Sequence, residues 1–120
     1  MRLFLCDDNA QYRTLVRLVL ERSGHEIVGE AADGQQAIER APEVDPEVLL
    51  LDLNMPGVSG WEALPRLRDL LPRTKLVILT TGQAQDERRR VMDAGADGFV
   101  VKPLMISALE EELLASLRPG

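Results

Sequence analysis

The 120-residue chain is 45% hydrophobic and 28% charged, with a net charge of −6. These values suit one ordinary domain with one core and argue against gripping nucleic acid by bulk charge. No apolar run is long enough to cross a membrane, the N-terminal "MRLFLCDD" reaches acids too soon for a secretory leader, and the single Cys6 and single His25 exclude a disulfide framework, a thiolate zinc site and a histidine-rich metal site; a reducing cytoplasm is the expected compartment.

The first element is "LFLC" (3–6), a short strand. In "YRTLVRLVLERSG", Tyr12, Leu15, Val16, Val19 and Leu20 form an i, i+3, i+4, i+7, i+8 stripe, which predicts an amphipathic helix closed by Gly24. His25 reads as a surface residue before the second strand, "EIVGEA" (26–31). Asp33 to Ala41 opens with D-G-Q-Q, a capping-box pattern, and the helix is expected to stop at Pro42. The third strand, "VLLL" (48–51), runs straight into Asp52, Asn54 and a Pro-Gly turn. Ser59-Gly60-Trp61-Glu62 is a second capping box, whose helix runs to about Leu71, with a kink expected at Pro65. Trp61 reads as part of the core. "KLVILT" (75–80) is the fourth strand. A fourth helix spans about Ala84 to Ala94, ends at Gly95, and carries Arg88-Arg89-Arg90 as a solvated face. After the fifth strand, "GFVV" (98–101), the last helix runs from about Met105 to Leu117, with Ile106, Leu109, Leu113 and Leu117 on one face. The expected organisation is one domain over 1–118, with 119–120 the start of a linker or tail.

Strand and helix therefore alternate five times, which argues for a parallel sheet covered on both faces. In open α/β sheets, ligands bind beyond the carboxyl ends of the strands. The residues there are Asp7 and Asp8, Asp52, Thr80 and Thr81, and Lys102 followed by Pro103. Three ionised carboxylates side by side repel one another, and a hard divalent cation such as Mg²⁺ removes that conflict through oxygen ligands. With a hydroxyl and a lysine added, the set is complete for phosphoryl transfer to a carboxylate.

"CDD", "LLLDLNMPG", "VILTT" and "GFVVKP", in this order and on this alternation, resemble a response-regulator receiver domain over essentially the whole chain. The resemblance implies a flavodoxin-like (βα)5 three-layer sandwich with a parallel five-stranded sheet of order 2-1-3-4-5. It implies that Asp52 is the phosphoacceptor. Asp8 and Asp52 would ligate Mg²⁺ directly (Mn²⁺ is an alternative), Asp7 mostly through water, and Asn54 through its backbone carbonyl. Thr80 would be the switch hydroxyl, Lys102 the lysine that pairs with the phosphoryl group, and Phe99 the rotating aromatic. The Lys102–Pro103 peptide becomes a cis candidate. "VGEAADGQQA" is most similar to receivers joined to a LuxR-type helix-turn-helix output domain, so DNA would be reached only through an output domain absent from this chain. The implied partners are a sensor histidine kinase or phosphotransfer protein and, on activation, a second copy of the chain, with no membrane role. Departures from the family are Thr81, where Ala or Gly is usual, Leu104 in place of a frequent Phe, and Phe99 without a tyrosine hydroxyl.

Three other functions share parts of this pattern. A phosphorylation-independent pseudo-receiver would not need the complete acid, hydroxyl and lysine set. An aspartyl-phosphate hydrolase would show D-x-D-x-T where this chain reads "DLNMP". A nucleotide- or flavin-binding domain would place glycines after the first strand, where "CDDNAQYR" would instead repel phosphate unless a metal intervenes.

Overall fold

The computed structural model describes residues 1–81 and 85–119. In chain order the elements are β1 (Arg2–Cys6), α1 (Ala10–Arg22), β2 (Glu26–Ala31), α2 (Gly34–Val44), β3 (Val48–Leu51), α3 (Gly60–Leu70), β4 (Lys75–Thr80), α4 (Gln85–Asp93), β5 (Gly98–Val101), a 3₁₀ turn (Ile106–Ala108) and α5 (Leu109–Ser116). The strands pair in parallel in the order β2-β1-β3-β4-β5. The five aliphatic runs thus become the five strands. The fourth helix's expected start at Ala84 lies outside the described residues.

Each central strand feeds two cores, because successive side chains point to opposite faces. Phe4, Cys6, Leu49 and Leu51 join Ala37, Ile38, Leu64, Leu67 and Val91 under α2, α3 and α4. Leu3, Leu5, Val48 and Leu50 join Val16, Leu20, Leu109 and Leu113 under α1 and α5. This two-sided burial explains why the strands carry almost no polar residues.

Local signals behave unevenly. Ser59 caps α3 with a complete box, its hydroxyl accepting from Glu62 N–H while Glu62 reaches back to Ser59 N–H. Ser59→Ala should cost about 1 kcal/mol of stability, measurable by denaturant unfolding; an unchanged midpoint would show that the box contributes nothing. The D-G-Q-Q box is incomplete. Asp33 accepts from Gln36 N–H, but Gln36 turns to Ala32 N–H instead. Nor does α2 stop at Pro42. It continues to Val44 and ends at Asp45, in the left-handed region at φ 44°. The physical reason is external: Arg2 donates to the carbonyls of Val44 and Asp45, satisfying the helix end that Pro42 alone would have left frayed. The helix α3 runs through Pro65 as one element.

Other expectations need correction. Leu15 is 47% exposed, because the buried stripe of α1 is narrower, centred on Val16 and Leu20. The last helix begins as a 3₁₀ turn. The Lys102–Pro103 peptide is trans, the intrinsically preferred form; among the described residues no peptide bond is cis. His25 is half-buried, 2.9 Å from the Met1 amine and 3.1 Å from Glu110. Trp61 does pack on the core, and Arg90 lies over its ring at 4.4 Å from the centroid.

At the edge where strands begin, Arg68 ties three segments together. It donates to Gly95 and Asp97 on one side and to the Leu71 and Thr74 carbonyls on the other. Asp97 also accepts from Leu76 N–H. This planar fork anchors the end of α3, the start of β4 and the turn between α4 and β5.

Candidate functional site

Strand register builds the site. Cys6 pairs with Leu51, so the next residues on β1 and β3 are Asp7 and Asp52. The Asp52 N–H donates to the Cys6 carbonyl at 2.9 Å, extending the ladder one step. Thr80 pairs with Val101, and Lys102 N–H donates to the Thr80 carbonyl at 2.8 Å. The same edge therefore receives the acids, the hydroxyl and the lysine. Asp7 and Asp52 are each 6% exposed and Thr80 is fully buried, whereas Asp8 is exposed.

One carboxylate oxygen each from Asp7, Asp8 and Asp52 lies within 4.8 Å of the others. Such a set of hard oxygens fits a small divalent cation, because the charge it concentrates has little other compensation. The compensation present comes from Lys102, whose Nζ is 2.7 Å from Asp7 Oδ2 and 3.4 Å from Asp52 Oδ2. Asp7 is further committed: its Oδ1 accepts from Asn9 N–H, and its carbonyl accepts from Arg13. Asn54 lies just beyond Asp52 and donates its N–H to Asp52 Oδ1 at 3.3 Å.

Burial raises the Asp52 pKa above the ordinary carboxylate value; the Lys102 charge opposes the rise, and neighbouring Asp7 adds to it. A raised folded-state pKa means that this carboxyl favours folding below its unfolded pKa, and that the benefit is lost as pH rises through the folded value. Added Mg²⁺ would bind the ionised form, so its stabilisation should grow as pH rises through that window. Melting temperature against pH, with and without Mg²⁺, measures this; a pH-independent increment would refute a carboxylate-borne site. Burial, then the nearby acids, pushes the Cys6 thiol upward, and its Sγ contacts the Asp33 carbonyl and Met55. It is a packing residue, buried in the core under α2 and α3.

Close backbone packing fixes the Asp52 loop. Gly60, the first residue of α3, donates its N–H to the Leu53 carbonyl, and a Cβ there would meet the Asp52 carbonyl oxygen at 2.1 Å. Phe99 sits on β5 opposite Ile78, partly buried against the core under α4. It lines an open groove of about 340 Å³ with Arg88, Val101, Glu112 and Ser116.

Tyr12 and Arg13 were not legible as site residues in the sequence. Tyr12 belonged to the apolar stripe of α1, and part of its ring does serve the core. Lys102 Nζ lies over its ring, 4.4 Å from the centroid. Its hydroxyl is buried, finds no hydrogen-bond partner among the described residues, and has a pKa pushed up to about 12, by burial first and then by Asp7 and Asp52. Arg13 also pairs with Glu30, which in turn holds Arg17. The only advance signal for Arg13 was its position one turn past the acid pair.

Comparison with known proteins places this architecture. The chain is 39% identical over 120 residues to the nitrate/nitrite response regulator protein NarP of Escherichia coli, covering 99% of this chain and 54% of NarP. It thus spans about half the length of that relative. It is 30% identical to the chemotaxis protein CheY of Thermotoga maritima, over 93% of both chains. A two-component response regulator of the LuxR family from Aurantimonas superposes with a TM-score of 0.88 at 32% identity, covering 97% of this chain and 84% of that one. The family model for the response regulator receiver domain matches residues 3–114, nearly the whole of the described fold. The chain belongs to the response regulator receiver domain family.

Proposed function

We propose that this chain takes a phosphoryl group from the phosphohistidine of a sensor kinase or phosphotransfer protein onto Asp52, and that the adduct alters the face formed by α4, β5 and α5 to control an output. The observation that carries the reading is the meeting of Asp7, Asp8 and Asp52 with the Lys102 ammonium beside the buried Thr80. A turn acid at Asp52 would need none of these neighbours.

In this reading an Asp52 oxygen forms the new bond to phosphorus, the donor's phosphorus–nitrogen bond breaks, and its electron pair leaves on the imidazole. Asp8, Asp52 and the Asn54 carbonyl would hold Mg²⁺ (or Mn²⁺) directly and Asp7 would do so through water. When bound, the cation neutralises charge on the phosphoryl oxygens. Lys102 pairs with one of those oxygens, and Thr80 donates its hydroxyl to another. Thr81, exposed at the mouth of the site, would narrow the donor's approach.

Movement of Thr80 toward the phosphoryl group would leave room for Phe99, which already stands between the core and the groove. The helix α4 is held by Val91 as its only fully buried large side chain among the described residues, so shifting it costs little. A second copy of the chain is the proposed occupant of the altered face. Transcriptional output would follow through an additional domain, in keeping with the greater length of NarP.

Intact mass after incubation with acetyl phosphate and Mg²⁺ should show the gain of one phosphoryl group. Hydrogen exchange with a beryllofluoride mimic should change in α4, β5 and α5. An unlabelled chain would refute the phosphoacceptor, and exchange changes confined to the Asp52 loop would refute the switch.

A further inference from the structure

We propose that Tyr12 is a positioning residue for Lys102, its ring face holding the ammonium at the acid cluster during phosphoryl transfer. The inference rests on the phosphoacceptor reading above.

The Lys102 side chain is only 14% exposed, and its ammonium meets groups from three elements. Asp7 at the end of β1 and Asp52 at the end of β3 supply the charges. Tyr12, in the first turn of α1, supplies the ring at 4.4 Å. A lysine carries its charge on a flexible four-carbon stem. Two carboxylates attract it but leave it free to slide between them, and a ring quadrupole in contact with it limits that movement. The ring is itself well fixed: Tyr12 N–H donates to Asn9 Oδ1 at 3.0 Å, and the lower part of the side chain packs on the core under α1. Core packing alone would be met by leucine. Leucine offers no π face to a cation, so the aromatic identity is what the contact adds.

Two substitutions separate ring from bulk. Tyr12→Phe keeps the ring face and removes the hydroxyl, and Tyr12→Leu keeps apolar volume and removes the ring. In proton–carbon spectra of the metal-free chain, the Lys102 ε-methylene protons should lie upfield through the ring current. They should stay there in Tyr12→Phe and return to ordinary values in Tyr12→Leu. Acetyl phosphate labelling in Mg²⁺ should keep its rate within about twofold in the Phe variant and slow by roughly three- to fivefold in the Leu variant. A merely structural role for Tyr12 would leave the Phe-against-Leu rate ratio near one. Normal labelling of wild type with equal rates in both variants would overturn this inference and leave the phosphoacceptor reading intact. Absence of the upfield shift in wild type would overturn the contact itself. A wild-type chain that takes no phosphate would overturn the functional reading and this inference with it.

Discussion

An Asp52→Asn chain incubated with acetyl phosphate and Mg²⁺ keeps its starting mass. The amide has no anionic oxygen to attack phosphorus, and the other acids are poorly placed to replace it. Asp7 is paired with Lys102 and accepts from Asn9 N–H, and Asp8 projects toward solvent. Labelling should fall on the order of a thousandfold or more, as when an enzymatic nucleophile is removed. The same substitution should raise, not lower, the melting temperature without metal. Burial disfavours the ionised form of Asp52, and a neutral isostere is spared that cost. The Mg²⁺-dependent increment should shrink in parallel. Full labelling of the Asn variant would remove Asp52 from the reaction, and a large loss of metal-free stability would contradict the electrostatic account.

Gly60→Ala is expected to unfold the chain some 10 °C earlier, a loss of roughly 3 kcal/mol. The added methyl would meet the Asp52 carbonyl oxygen at 2.1 Å and the Leu53 Cα at 2.7 Å. Both are backbone atoms in the loop that carries Asp52, so no rotamer change can relieve the collision. The loop or the start of α3 must move. Because Asp52 is displaced with its own carbonyl, the Mg²⁺ midpoint should also shift to higher concentration. Thermal melts and a Mg²⁺ titration followed by Trp61 fluorescence read the two effects; a variant as stable as wild type would refute the close approach of α3 to the Asp52 loop.

The strands were legible almost to the residue because of how they are buried. A segment such as Val48–Leu51, covered on both faces, has no polar position to blur its ends, and Asp52 marks its limit abruptly. The shared edge for Asp7, Asp8, Asp52, Thr80 and Lys102 followed from the alternation of strands and helices. What escaped the sequence depends on contacts between distant segments. Pro42 reads as a stop, and only Arg2, forty residues earlier in the chain, explains why the helix passes it. Tyr12 reads as core because periodicity sees a helical stripe and not what lies over its end. His25 reads as exposed until the Met1 amine and Glu110 close around it. Periodicity also could not tell that Lys102 rests nearer Asp7 than Asp52, since that balance is set by side-chain reach.

Arg68 has a mechanical consequence. By gripping Gly95 and Asp97, it pins the point where α4 ends, far from the acids. A rod clamped at one end responds to a push at the other by tilting. With nine residues and a rise of about 1.5 Å each, the lever arm of α4 is roughly 13 Å, and a tilt of about 10° carries its free end some 2 Å. In the proposed switch, a displacement of α4 should therefore be graded, largest at its Gln85 end and vanishing toward Gly95, without loosening the floor of the sheet.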